Sequence, residues 1–160
     1  MALNSLSKAY GLPGLRLGWV VAPPEMVQAL WRRHEYATLA ATKLANHLAE
    51  VALSPAVRPR LLERTRRYVR RGFEQLAAWL DGLDGRFEVV PPAASAVALV
   101  RCTAEISSRD LVDRLIREQS VLVVPGEHFG VERHVRIGFG TPSDYLAAGL
   151  ERIGALARTL

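Results

Sequence analysis

The residues best suited to covalent chemistry lie near the start of the chain. Only two of the 21 basic residues are lysines, Lys8 and Lys43. A solvated arginine does most of what a solvated lysine does, so a chain that uses arginine almost everywhere keeps lysine where arginine would fail. Forming an imine with an aldehyde is such a task, because a guanidinium stays protonated while an amine can lose its proton. Lys8 stands in Ser5-Leu6-Ser7-Lys8-Ala9-Tyr10-Gly11-Leu12-Pro13-Gly14-Leu15-Arg16-Leu17-Gly18-Trp19. An amine beside small hydroxylated residues can hold an aldehyde, and Arg16 can return across the glycine loop to grip an attached phosphate with its forked donors. Taken singly, Lys8 could be a loop lysine and Arg16 half of a surface ion pair. The joint spacing with Gly11, Gly14, Gly18 and Trp19 argues against both. Ser7 could contact the phosphate, cap the loop or simply be small.

A second constellation is His134-Val135-Arg136-Ile137-Gly138-Phe139-Gly140. An arginine among Val135, Ile137 and Phe139 is costly to hold near apolar surface without a partner, and a planar carboxylate is the bidentate partner it fits. The alternative is an exposed arginine on a half-solvated strand. The four histidines, His34, His47, His128 and His134, have no spacing that assembles a metal site, and a lone cysteine cannot help. No metal is expected.

Several elements must position these residues. Ala2 to Ser7 reads as the end of a strand and Leu17 to Val21 as a second, with the loop at Tyr10 to Gly14 between them. Pro23 and Pro24 lead into a helix from about Glu25 to Arg33, and a second helix is expected from Ala40 to Leu53, with a break at Tyr36 to Leu39. Pro55 and Pro59 mark another break. Beyond it Leu62, Thr65, Val69, Phe73, Leu76 and Leu80 recur at helical spacing. A domain boundary is placed near residue 57. From Phe87 the pattern changes to short apolar runs, Phe87 to Val90, Ala96 to Cys102, Val121 to Val124 and Val135 to Phe139, expected to form one small sheet. A helix from Ser108 to Glu118 starts at hydroxyl-rich Ser107 and Ser108, and another runs from Pro142 to the C-terminus with Thr141 as its cap. The fold class expected is α/β, with an α+β arrangement in the second domain.

Seven arginines lie between Arg58 and Arg71 and account for much of the net charge of +5. Arg64, Arg67 and Arg71 can share the helix face opposite Leu62, Val69 and Phe73, as solvated arginines do. A nucleic-acid stripe needs similar charges but also aromatic or groove-reading elements, which are missing here. Cys102 sits in an apolar run, so no intrachain disulfide forms and a reducing, cytoplasmic setting is expected. The first residues form no leader and no stretch approaches the ~20 apolar residues of a membrane span, so neither export nor a membrane partner is expected.

The stretch Ser5 to Trp19 resembles the cofactor-lysine motif of class I/II aminotransferases, the fold-type I pyridoxal-phosphate (PLP) enzymes. The stretch His134 to Gly140 resembles their C-terminal strand, whose arginine grips the substrate α-carboxylate, and Val123-Val124-Pro125-Gly126 with Gly130 resembles the strand and glycine turn before it. The resemblance covers essentially the whole chain and is to the C-terminal part of the family's fold. It implies residues 1–57 as a remnant of the large PLP-binding domain and residues 58–160 as the small C-terminal domain. It implies that Lys8 forms a Schiff base with PLP and then moves the substrate proton, that Ser5 and Arg16 contact the phosphate, with Ser7 beside them, and that Arg136 binds the substrate carboxylate. The substrates implied are an amino acid and a 2-oxo acid. Tyr36 and Thr38 sit where related enzymes bring residues toward the neighbouring subunit of a homodimer, although ordinary helix-end packing accounts for each.

The family's chain is longer, and the carboxylate that pairs with the pyridine nitrogen precedes the lysine. The chain is therefore expected to be a fragment that transaminates poorly by itself. Other outcomes on the same fold, such as a decarboxylase, a cyclising synthase or an oxidase, reuse the same lysine and arginines. A non-catalytic aminotransferase-like module and a basic nucleic-acid binder are the readings from other classes.

Overall fold

A computed structural model describes residues 1–160 as two compact units, Met1–Arg67 and Tyr68–Leu160. The division falls inside a long helix, further along than residue 57, which lies just before that helix begins.

In the first unit, β1 (Ala2–Ser5) pairs antiparallel with β2 (Gly18–Val21), and the register sets Ser5 opposite Gly18. The pairing runs one step past β1, where the Leu6 amide donates to the Leu17 carbonyl at 3.0 Å as the chain enters the turn. A 3-10 turn at Pro13–Leu15 shapes the connecting loop. Next come α1 (Pro24–Thr38) and α2 (Lys43–Leu53). The break expected at Tyr36 to Leu39 begins only at Leu39, because nothing before it removes a backbone donor and α1 simply continues. Tyr36 projects 94% exposed, so helix-end packing does not account for it. α2 starts at Lys43 rather than Ala40, where the Thr42 hydroxyl accepts from the Ala45 amide at 3.1 Å. Leu6, Tyr10 and Ala49 form the buried centre of the unit, flanked by Leu12, Leu15, Leu17, Trp19, Leu53 and Leu62.

The helix shared by both units, α3 (Arg58–Asp81), contains Pro59 in its first turn, where a missing amide costs nothing. Pro59 therefore does not mark a break.

The second unit is a two-layer arrangement. Its sheet has the order β3 (Phe87–Val89), β4 (Val97–Cys102), β6 (His134–Gly138), β5 (Val124–Pro125), every pair antiparallel. Strict alternation along β4 turns Ala98, Val100 and Cys102 inward and Val97, Leu99 and Arg101 outward. The inward face packs on Leu76 and Leu80 of α3, Leu111 and Leu115 of α4 (Ser108–Gln119), and Leu146, Leu150 and Ile153 of α5 (Ser143–Ala157). Gly72 lets α3 touch the strand layer, since a Cβ there would lie 2.0 Å from the Phe139 carbonyl oxygen. The expected helix cap at Thr141 is absent: Pro142 takes the cap position with no side-chain bond, and the Thr141 hydroxyl is buried without a partner. Ser107 does cap α4, its hydroxyl accepting from the Asp110 amide at 3.0 Å. No helix is long and apolar enough to cross a membrane.

Candidate cofactor and carboxylate site

Lys8 is exposed on the turn that leaves β1. Its shape follows from the burial of the residues around it. Leu6 is fully buried and Tyr10 is 4% exposed, so the chain must dive inward on either side of Ser7 to Ala9 and push the lysine outward. The Gly11 amide donates to the Lys8 carbonyl at 2.9 Å, and the Leu12 amide donates to the Leu6 carbonyl at 2.9 Å. Tyr10 and Trp19 meet with ring centroids 6.2 Å apart, which ties the turn to β2.

The two serines are brought together. Both are half-buried, and the Ser7 amide donates to the Ser5 hydroxyl at 3.4 Å. Arg16 closes the far end of the same loop in the left-handed region, φ 50° and ψ 37°, and its Nη1 donates to the Pro13 carbonyl at 2.8 Å. The guanidinium thus curls over its own glycine loop and is otherwise exposed. Neither Lys8 nor Arg16 takes part in any ion pair of the unit.

Arg136 belongs to the second unit, at the middle of β6, flanked by Leu99 on β4 and Val124 on β5. Because Val135 and Ile137 point into the core, Arg136 emerges on the outward face of the sheet. The strand is anchored at its start by the His134 amide, which donates to the fully buried Ser108 hydroxyl at 3.2 Å. A 3-10 turn, Gly126–Phe129, ends at Gly130 and delivers Phe129, whose ring centroid lies 5.1 Å from the Arg136 guanidinium carbon. Other arginines of the unit have carboxylates: Arg101 pairs with Glu88 at 3.0 Å, Arg133 with Glu105 at 2.8 Å, and Arg109 with Glu127. The Arg109–Glu127 contact is close but off the hydrogen-bonding direction. Arg136 alone among these four has an aromatic face and no acid. A half-buried guanidinium braced in this way is ready for an external carboxylate.

Two residues that contact the candidate site residues carry little signal in the sequence. Phe129 was visible only as part of a glycine turn, although an aromatic residue between Gly126 and Gly130 on the approach to an arginine strand was a usable signal. Arg64 read as one of three solvated arginines. It is exposed, yet it bonds to the carbonyls of Tyr10 and Gly11 in the lysine turn.

The strand–loop–strand with its exposed lysine in the first unit, and the acid-free arginine on an antiparallel strand in the second, are each of the kind that the resemblance to fold-type I PLP enzymes leads one to expect. The chain belongs to the aminotransferase class I and II family, whose model matches residues 1–153. Among curated relatives it is similar to capreomycidine synthase from Streptomyces vinaceus, 39% identical over 165 residues that cover 99% of this chain and 41% of the relative. Among solved structures it is similar to a PLP-dependent aminotransferase from Streptococcus suis 89-1591, with a TM-score of 0.88 and 31% identity over 99% of this chain and 41% of that one. It is also similar to the PLP-dependent cyclase OrfR, with a TM-score of 0.85 and 29% identity over 98% of this chain and 42% of that one. The chain thus spans about two fifths of the length of these relatives.

Proposed function

We propose that this chain carries the lysine and the carboxylate grip of a PLP-dependent aminotransferase, which moves an amino group between an amino acid and a 2-oxo acid. The observation that carries the reading is Lys8 itself, an exposed amine on a turn fixed by buried neighbours and free of acidic partners.

The donor set suits the cofactor: one amine for its aldehyde, and the Ser5 and Ser7 hydroxyls with the Arg16 fork for its phosphate. When bound, PLP supplies an electron sink that stabilises negative charge at the substrate Cα. Lys8 would hold the cofactor's aldehyde through Nζ. Once freed by the substrate amine, Nζ would take the substrate Cα proton and give it back at the cofactor's aldehyde-derived carbon, so one side chain would serve as both base and acid. Ser5, Ser7 and Arg16 would hold the phosphate end. Arg136 holds the substrate carboxylate bidentately, with the Phe129 ring restricting the rotation of its guanidinium. A homodimer and a cytoplasmic setting complete the reading; the single buried thiol of Cys102 suits the latter.

A second outcome of the same chemistry, cyclisation of an amino acid, is favoured by the 39% identity to capreomycidine synthase and the likeness to the cyclase OrfR. It would use Lys8 and Arg136 in the same way.

Absorbance titration of the purified chain with PLP tests the reading. A saturable band that Lys8→Ala removes and Lys43→Ala leaves is the expected result. Equal loss in both variants, or no saturation, would overturn it. Product analysis with an amino acid on the full-length parent then separates the two outcomes. Amino transfer requires a 2-oxo acid, whereas cyclisation proceeds without one.

A further inference from the structure

Arg64 lies on the first half of α3, far along the chain from Lys8 but in the same compact unit. Its Nη2 donates to the Tyr10 carbonyl at 2.9 Å and to the Gly11 carbonyl at 3.3 Å. These are the two peptide groups that end the lysine turn. A few residues earlier on the same helix, Arg58 donates from Nε to the Tyr10 hydroxyl at 3.3 Å. No carboxylate pairs with either arginine, so the bonds to the turn are the ones their guanidinium groups make. Gly11 has φ +63°, and a Cβ on it would meet Arg64 Nη2 at 2.9 Å and the Thr65 hydroxyl at 3.2 Å. The left-handed φ favours glycine here, and a Cβ would also push the Arg64 guanidinium off its carbonyls. Carbonyls that turn outward on a left-handed glycine lack strand partners, and a guanidinium nitrogen with two hydrogens can serve both at once.

We propose that Arg64 is a positioning residue for Lys8. With Arg58 on the Tyr10 hydroxyl, it clamps the end of the turn from α3 and holds the lysine in the one presentation that meets a PLP aldehyde. The inference rests on the function proposed for Lys8. An ammonium at position 64 would be more compact and more strongly hydrated, so it reproduces the two-carbonyl contact only in part.

The test compares the wild-type chain with Arg64→Ala, Arg64→Lys and Arg67→Ala, the last an exposed arginine of the same helix that makes none of these bonds. Circular dichroism confirms that each is folded. Two readouts follow. Amide hydrogen exchange at Gly11 and Leu12 should quicken by about tenfold in Arg64→Ala, the scale of one lost net hydrogen bond, less in Arg64→Lys and not in Arg67→Ala. Borohydride trapping with PLP should place the pyridoxyl label on Lys8 in the wild type and in Arg67→Ala. In Arg64→Ala the label should spread to Lys43 and the α-amine, with Arg64→Lys between. Unchanged exchange in Arg64→Ala overturns the clamp. Quickened exchange with the label still confined to Lys8 overturns the positioning role. If the wild type itself shows no preference for Lys8, the functional reading fails and exchange alone decides the clamp.

Discussion

Gly72→Ala is the sharpest perturbation of the packing that supports the Arg136 strand. In an exposed helix interior, alanine in place of glycine gains up to about 1 kcal/mol. At Gly72 the new Cβ would sit 2.0 Å from the Phe139 carbonyl oxygen and 3.4 Å from the Phe139 ring. A carbonyl on the backbone cannot swing aside as a flexible side chain can. Either α3 withdraws or the segment after β6 does, and the edge contact between Phe73 and Phe139, now at 5.6 Å, opens. Overpacking of this kind costs about 1–3 kcal/mol, and more where backbone must move. The propensity gain offsets only part, leaving a net loss of about 2 kcal/mol, or roughly 10 °C in Tm for a unit of this size. The control is Gly149→Ala in α5, where nothing lies within 4 Å of the added atom and alanine should stabilise by about 0.5–1 kcal/mol. Urea and thermal unfolding of both variants, followed by circular dichroism, decide the matter. A Gly72→Ala chain as stable as the wild type would refute the close approach of helix and strand.

Other outcomes follow from single contacts. Arg136→Lys should weaken binding of an amino-acid carboxylate by about 2 kcal/mol, roughly thirtyfold, through loss of the forked contact, read as the midpoint of an amino-acid titration of the PLP-loaded chain. Phe129→Ala should weaken the same midpoint by about 0.5–1 kcal/mol through loss of the ring under the guanidinium, with little change in stability. Ser107→Ala should lower stability by about 1 kcal/mol, because the Asp110 amide loses its acceptor; the urea midpoint measures it. Burial pushes the Cys102 thiol above its ordinary value of 9.0, opposed in part by a backbone hydrogen bond from Ala104 and the charge of Arg133. The native state therefore holds this proton longer than the unfolded chain does. That contribution to stability is complete below the ordinary value and fades as pH rises through the folded one. Alkylation of Cys102 at pH 8 should accordingly be slow in the native chain and rapid in denaturant.

The parts of the fold legible in the sequence were those whose cause is local. The short apolar runs that form β4 and β6, the helical spacing of Leu76 and Leu80, and the Ser107 cap each depend on neighbours a few residues away, and each appears in the structure. The strand, loop and strand around Lys8 were legible because glycine and proline punctuate them. What escaped depends on distant partners. Pro59 looks like a breaker until the start of the helix is known, and it sits harmlessly in the first turn. Thr141 has a capping residue's chemistry, but the chain buries its hydroxyl beside Pro142. Arg64 belongs by composition to a solvated face, and only the fold brings it to the carbonyls of Tyr10 and Gly11. Arg136 was legible by type and setting. Its aromatic brace and its lack of an acid were not, because both depend on which residues of a turn and of neighbouring strands come near it.

The central claim is that Lys8 is the residue that takes the cofactor, and reductive trapping tests it most directly. The purified chain is mixed with PLP at less than one equivalent, reduced with borohydride and mapped by peptide mass. The account predicts a pyridoxyl group on Lys8, with Lys43 and the α-amine essentially unmodified. A label distributed evenly among the three amines would contradict it.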